Sequence, residues 1–98
     1  MTEITIQNNI KLQEMIDNKD FKLSKTIVDT ILKNVDTKKK RIHILSFKLV
    51  EEATILDLTL DKIYFAETLE ENLKYYLDRE MYEQCSKISK AIEVLKTK

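Results

Sequence analysis

Lys38-Lys39-Lys40-Arg41 is the one concentrated block of charge in a 98-residue chain whose 17 basic and 17 acidic side chains otherwise cancel. Adjacent cations can grip phosphates through contacts that weaken steeply with salt. Lys38, Lys39, Lys40 and Arg41 are therefore the candidate nucleic-acid contact. No aromatic residue is interleaved with them to stack on a base, and such a run serves equally as a solvated connector that stops the next strand from pairing with other chains. A net charge of zero removes the global field that a dedicated nucleic-acid binder carries.

The remaining reactive side chains form no recognisable catalytic set. His43, the single histidine, has no nucleophile or carboxylate at a triad or dyad spacing, and it reads as a structural or surface residue. Cys85, the single cysteine, cannot form an internal disulfide and falls on an apolar helical stripe, where a thiol behaves as a small hydrophobe. One His and one Cys do not make a zinc site of ordinary ligand count. The absence of Gly and Pro excludes glycine phosphate loops, nucleophile elbows and polyproline segments. No catalytic residue, metal ligand or cofactor is assigned. Tyr75, Tyr76 and Tyr82 are the candidate protein interface, because Tyr75 lies off the apolar stripe beside Leu and Tyr neighbours and aromatic side chains of that kind anchor interfaces.

The elements that must position these residues follow from hydrophobic period. Asn8 or Asn9 can cap a short helix through Ile16, and Asp17-Asn18-Lys19-Asp20 should end it. Ile27, Val28, Ile31, Leu32 and Val35 form a second helical stripe, with Ser24 as the expected N-cap. Over residues 42–60 the helical period fails and the strand period succeeds. Leu45, Phe47 and Leu49 alternate with polar residues, as do Leu56, Leu58 and Leu60. Opposing Leu49 to Leu56, Phe47 to Leu58 and Leu45 to Leu60 builds one apolar face, pairs Lys48 with Asp57 and Ser46 with Thr59 on the other, and leaves Glu51 to Thr54 as a four-residue turn. This register sets His43 on the apolar face, near Lys62. Asp61 is the expected N-cap of a third helix to Asp78, and Tyr82, Cys85, Ile88, Ala91, Ile92 and Leu95 make a fourth, folded back on it through a connection near Arg79 to Met81.

The two ends of the chain also echo each other at an offset of 61, with Leu12, Met15, Ile16, Asp17, Phe21, Ile27 and Ile31 matching Leu73, Tyr76, Leu77, Asp78, Tyr82, Ile88 and Ile92. Either two similar helical hairpins flank the β-hairpin, or the amphipathic period produces the match.

Within Leu73 to Leu95, Tyr82-Glu83 supplies an aromatic-acidic pair after a short turn, Cys85-Ser86 a small pair, and Ile88, Ile92 and Leu95 an apolar ladder. This segment resembles the UVR motif, a helical hairpin of excision-repair nuclease subunits and of regulators of protease complexes. Ser89-Lys90 stands where that family usually has Arg-Asp. The resemblance implies a protein-docking hairpin over about a quarter of the chain.

These readings combine into one α+β domain over residues 1–98: two helices, a β-hairpin over about 42–50 and 55–60, then an antiparallel helical hairpin, with an all-α bundle as the alternative. The expected function is non-enzymatic. The chain reads as an adaptor, inhibitor or assembly factor that docks on a larger protein through its C-terminal helical hairpin or a strand edge. A weak nucleic-acid binder is the alternative. Because two strands alone are marginal, edge pairing into a homodimer is a specific expectation. No apolar run approaches the roughly 20 residues that span a bilayer, and the amino terminus lacks a secretory pattern. A cytoplasmic protein is expected, and the Lys-, Ile- and Asn-rich composition suits an AT-rich genome such as that of a phage.

Overall fold

Glu3-Ile4-Thr5-Ile6 alternates β-branched apolar and polar residues, and it forms a strand, β1 (Glu3–Ile6), that the sequence reading did not include. The computed structural model describes residues 3–18 and 20–97. After β1 come α1 (Asn9–Asp17), α2 (Phe21–Lys33), β2 (Arg41–Leu49), β3 (Thr54–Asp61), a single 3-10 turn (Lys62–Tyr64), α3 (Phe65–Asp78) and α4 (Tyr82–Lys96). The fold is α+β, as expected.

The strands form one sheet in the order β1-β2-β3, with β1 parallel to β2 and β2 antiparallel to β3. β2 is thus central, and the additional strand relieves the marginal stability of an isolated hairpin. The β1 pairing continues past the strand, since Val50 and Glu51 donate their amides to the carbonyls of Ile6 and Gln7 at 3.0 and 2.9 Å. The Glu51 carboxylate accepts from the side chains of Gln7 at 3.2 Å and Asn8 at 2.8 Å.

The hairpin register differs from the expected one by two residues. Leu45 lies opposite Leu58, Phe47 opposite Leu56 and Leu49 opposite Thr54. A slip of two keeps every side chain on its face, so the apolar face survives while the pairs change. Lys48 therefore meets Ile55 rather than Asp57, and Ser46 meets Asp57 rather than Thr59. The turn moves accordingly to Val50–Ala53, with Ala53 at φ 50°, a left-handed conformation that glycine adopts at lower cost.

A bulge at Ile44, between His43 and Leu45, shifts the register once more. An extra residue re-aims the side chains before it. Ile42, Ile44 and Leu45 are all buried, and His43 turns to the opposite face, beside Ser46. The expectation that His43 lies on the apolar face is thereby corrected.

Two helix starts are also corrected. α2 begins at Phe21, with the Asp20 carboxylate accepting from the Lys22 amide at 2.8 Å. Ser24 is instead buried inside that helix, and its hydroxyl donates to Asn72 Oδ1 at 2.6 Å. Asp61 makes no cap hydrogen bond and pairs with Arg41. Asn8 does cap α1, accepting from Lys11 at 2.9 Å.

The core joins Leu45 and Leu49 of β2, Val28 and Ile31 of α2, Phe65 and Leu69 of α3, and Ile88 of α4. The Ser24–Asn72 hydrogen bond crosses from α2 to α3 within it, while the Asn72 amide donates to Thr68 O at 2.8 Å, so both side chains are satisfied. α3 and α4 pack along each other as the expected helical hairpin, whereas α1 and α2 scarcely touch. The offset of 61 is real in helix boundaries, since Asp17 and Asp78 end their helices and Phe21 and Tyr82 begin the next. It does not extend to two equivalent packed hairpins.

Candidate functional site

Among the described residues β3 is the longer of the two edge strands. It hydrogen-bonds to β2 on one side, and the backbone N–H and C=O groups of its other side have no strand beside them among the described residues. α2 packs on β2 and α1 on β1, but no helix lies closely along β3. Leu56 and Ile55, on opposite faces of the strand, remain 40% and 59% exposed, and Leu58 and Leu60 are half-buried against the core. An edge of this kind is ready to accept another strand.

The cationic run lies at the other end of the hairpin. Lys38, Lys39, Lys40 and Arg41 line one cleft of about 710 Å³, floored by Ile63, Ala66 and Leu95. Not all of its cations are free. Arg41 pairs with Asp61, which draws the guanidinium pKa further upward through a hydrogen bond and opposite charge. The Lys62 ammonium donates to the Thr37 carbonyl. Lys38, Lys39 and Lys40 are exposed and form no ion pair among the described residues. No aromatic side chain lines the cleft.

On the sheet face away from the helices, His43 Nε2 lies 2.9 Å from Ser46 Oγ, and Ser46 donates to Asp57 Oδ1 at 2.6 Å. Asp57 is held below the usual carboxylate range, chiefly by the Ser46 hydroxyl and secondarily by His43, with partial desolvation opposing both. These residue types match a hydrolytic triad, but their connections do not. The serine proton is committed to the carboxylate, and the same histidine nitrogen faces both partners, with Asp57 at 3.5 Å. Ser46 is also only 2% exposed. The cluster ties β2 to β3.

The three candidate interface tyrosines separate. Tyr82, the first residue of α4, is 63% exposed. Tyr75 is half-buried in a groove with Leu23, Ser24 and Ile27 of α2. Tyr76 belongs to the core at 2% exposure, its ring 5.1 Å from that of Phe21, which Arg79 covers in turn. It cannot anchor a partner, because it lies on the inward stripe of α3 with Phe65, Leu69 and Asn72. Its hydroxyl has no hydrogen-bond partner among the described residues, and burial, followed by the charges of Asp29 and Cys85, pushes its pKa up to about 12. Cys85 is buried, as its position on the apolar stripe implies.

Strand edges in general are legible in the sequence, but β1 lies outside the expected elements, and without it no strand order tells which edge is long and uncovered. The Ile4-Thr5-Ile6 alternation was the available signal. No helix among the described residues is long and apolar enough to cross a membrane. No family model, curated protein or solved structure matches the chain.

Proposed function

We propose that this chain is a small non-enzymatic protein-interaction module, an adaptor, inhibitor or assembly factor, and that β3 is its docking edge. The observation that carries this reading is an eight-residue edge strand with free backbone groups and exposed Ile55 and Leu56. Main-chain hydrogen bonds would supply affinity to an added strand, and the alternate leucines would supply selectivity. The α3–α4 hairpin, with its UVR-like pattern and exposed Leu77 and Tyr82 near the turn, offers a second surface for a larger protein. The committed proton of Ser46 and its burial support a non-catalytic role for the one cluster that resembles a triad.

The test is affinity capture from native lysate, with and without nuclease, using the wild-type chain and an Ile55→Lys/Leu56→Lys variant. A protein recovered in stoichiometric amount after nuclease and lost with the variant supports β3 docking. Recovery that the variant leaves unchanged overturns it.

The cleft favours a second reading, binding of a polyanion backbone by Lys38, Lys39 and Lys40. It predicts recovery that disappears with nuclease and an affinity that falls steeply with salt. Replacing Lys38 to Arg41 with Glu should abolish that affinity, and unchanged binding by the variant would remove the cleft from consideration.

A further inference from the structure

We propose that the strand accepted at β3 is β3 of a second copy, paired antiparallel about a two-fold axis at Leu58, so that two three-stranded sheets join into one. This inference rests on the reading of β3 as the docking edge and names the occupant.

The first support is surface area. The chain exposes 6809 Å², whereas a folded monomer of 11.6 kDa is expected to expose about 5,800 Å². The excess, roughly 1,000 Å², is comparable to the ~800 Å² that each partner contributes to a standard interface. The shape agrees, since the extents are 44 × 32 × 17 Å and the radius of gyration is 14.2 Å, against about 12.6 Å for a compact chain of this length.

The second support is the sequence of the edge itself. A two-fold interface presents the same patch on both sides and must be self-complementary. Leu56-Asp57-Leu58-Thr59-Leu60 reads almost the same in both directions. Centred on Leu58, Leu56 lies opposite Leu60 of the other copy, Leu58 opposite itself, and Asp57 opposite Thr59. Every leucine then lies on the helix-covered face, where Leu45 and Phe47 already oppose Leu58 and Leu56.

Neighbouring registers are worse for stated reasons. Centring on Asp57 opposes two carboxylates, and centring on Thr59 opposes Asp57 to Asp61 twice, both destabilising. Centring on Leu56 opposes Leu58 to Thr54 and carries Leu60 beyond the strand. Any shift by an odd number sets a leucine against a residue of the other face.

Sedimentation velocity over a dilution series tests the association, and engineered cysteines test the register. The wild type should dissociate from dimer to monomer on dilution. Leu56→Lys should raise the dissociation constant by at least about tenfold with an unchanged circular-dichroism spectrum, since it sets a charge against a leucine twice per dimer. In a Cys85→Ala background, Leu58→Cys should cross-link under oxidation because the two copies of that position lie opposite each other within disulfide reach. Thr59→Cys should not. A wild type that is monomeric at every concentration overturns self-pairing, and β3 docking then stands if the edge variant still loses a captured partner. A dimer that Leu56→Lys leaves intact overturns self-pairing at β3. Cross-linking through Thr59→Cys instead of Leu58→Cys overturns the register.

Discussion

Leu45 and Leu56 lie on the same face of the same sheet, on neighbouring strands, yet Leu45 is 0% exposed and Leu56 is 40%. β2 is flanked by β1 and β3 and covered by α2, whereas β3 has a neighbour on one side and no helix packed closely along it. Each strand alternates apolar and polar residues. A period-2 pattern therefore says which side chains share a face and says nothing about whether that face is covered. The covered strand holds the monomer together, and the uncovered one is the edge proposed for docking.

Truncation separates the two strands most strongly. Leu45→Ala should cost about 2–5 kcal/mol because it empties a site filled from the sheet, α2 and α3. Leu56→Ala should cost under about 1 kcal/mol in the monomer, as for a half-solvated side chain. Urea unfolding at high dilution measures both, and equal losses would erase the distinction.

The helical cover can be loosened without touching the sheet. Asn72→Ala leaves the buried Ser24 hydroxyl without its 2.6 Å acceptor, which should cost about 1–3 kcal/mol. The double change Ser24→Ala/Asn72→Ala should recover part of that loss, and a double-mutant cycle by urea unfolding reads the coupling.

The turn that joins the strands offers a change in the stabilising direction. Ala53 sits at φ 50°, so Ala53→Gly should stabilise by about 0.5–1 kcal/mol net of the backbone freedom that glycine adds to the unfolded chain. A lowered thermal midpoint would contradict this.

The smallest effect belongs to the polar face. Asp57 has its pKa depressed in the fold, first by the Ser46 hydroxyl, so its contribution is full above the ordinary carboxylate range. That contribution is lost as pH falls through the lowered folded value. Ser46→Ala should move the Asp57 titration, followed by carbon-detected NMR, back toward the ordinary value and flatten the acid limb of the stability curve. His43→Ala should move it less, since His43 is the secondary cause.

Much of the fold was legible because local rules governed it. A cap at Asn8 or Asn9, the helix end at Asp78 and the apolar faces of both hairpin strands follow from side chains within a few residues of one another, and the structure selects Asn8. The register was not, because sums differing by two give the same faces, and the choice fell to the Ala53 turn and to β1 pairing on through Val50 and Glu51. Ser24 looked like a cap by type, yet its partner is Asn72, 48 positions away. Tyr76 shares the helical stripe of Phe65 and Leu69 that Tyr75 leaves, so the local period already argued against it as a partner anchor, and its burial agrees. The candidate docking edge was named as a category, and its identity as β3 required the sheet order.

The sequence alone determined the four helices and the two hairpin strands, the shared face of Leu45, Phe47 and Leu49 and that of Leu56, Leu58 and Leu60, and the near-palindrome at Leu58, because period and composition act within one strand or one helical turn. The tertiary structure decided which strand is central, where the bulge turns His43 toward Ser46 and Asp57, and which leucines lack cover. Those outcomes depend on contacts between residues far apart in the chain, where several pairings satisfy the same local pattern and only the packing of the whole chain distinguishes them.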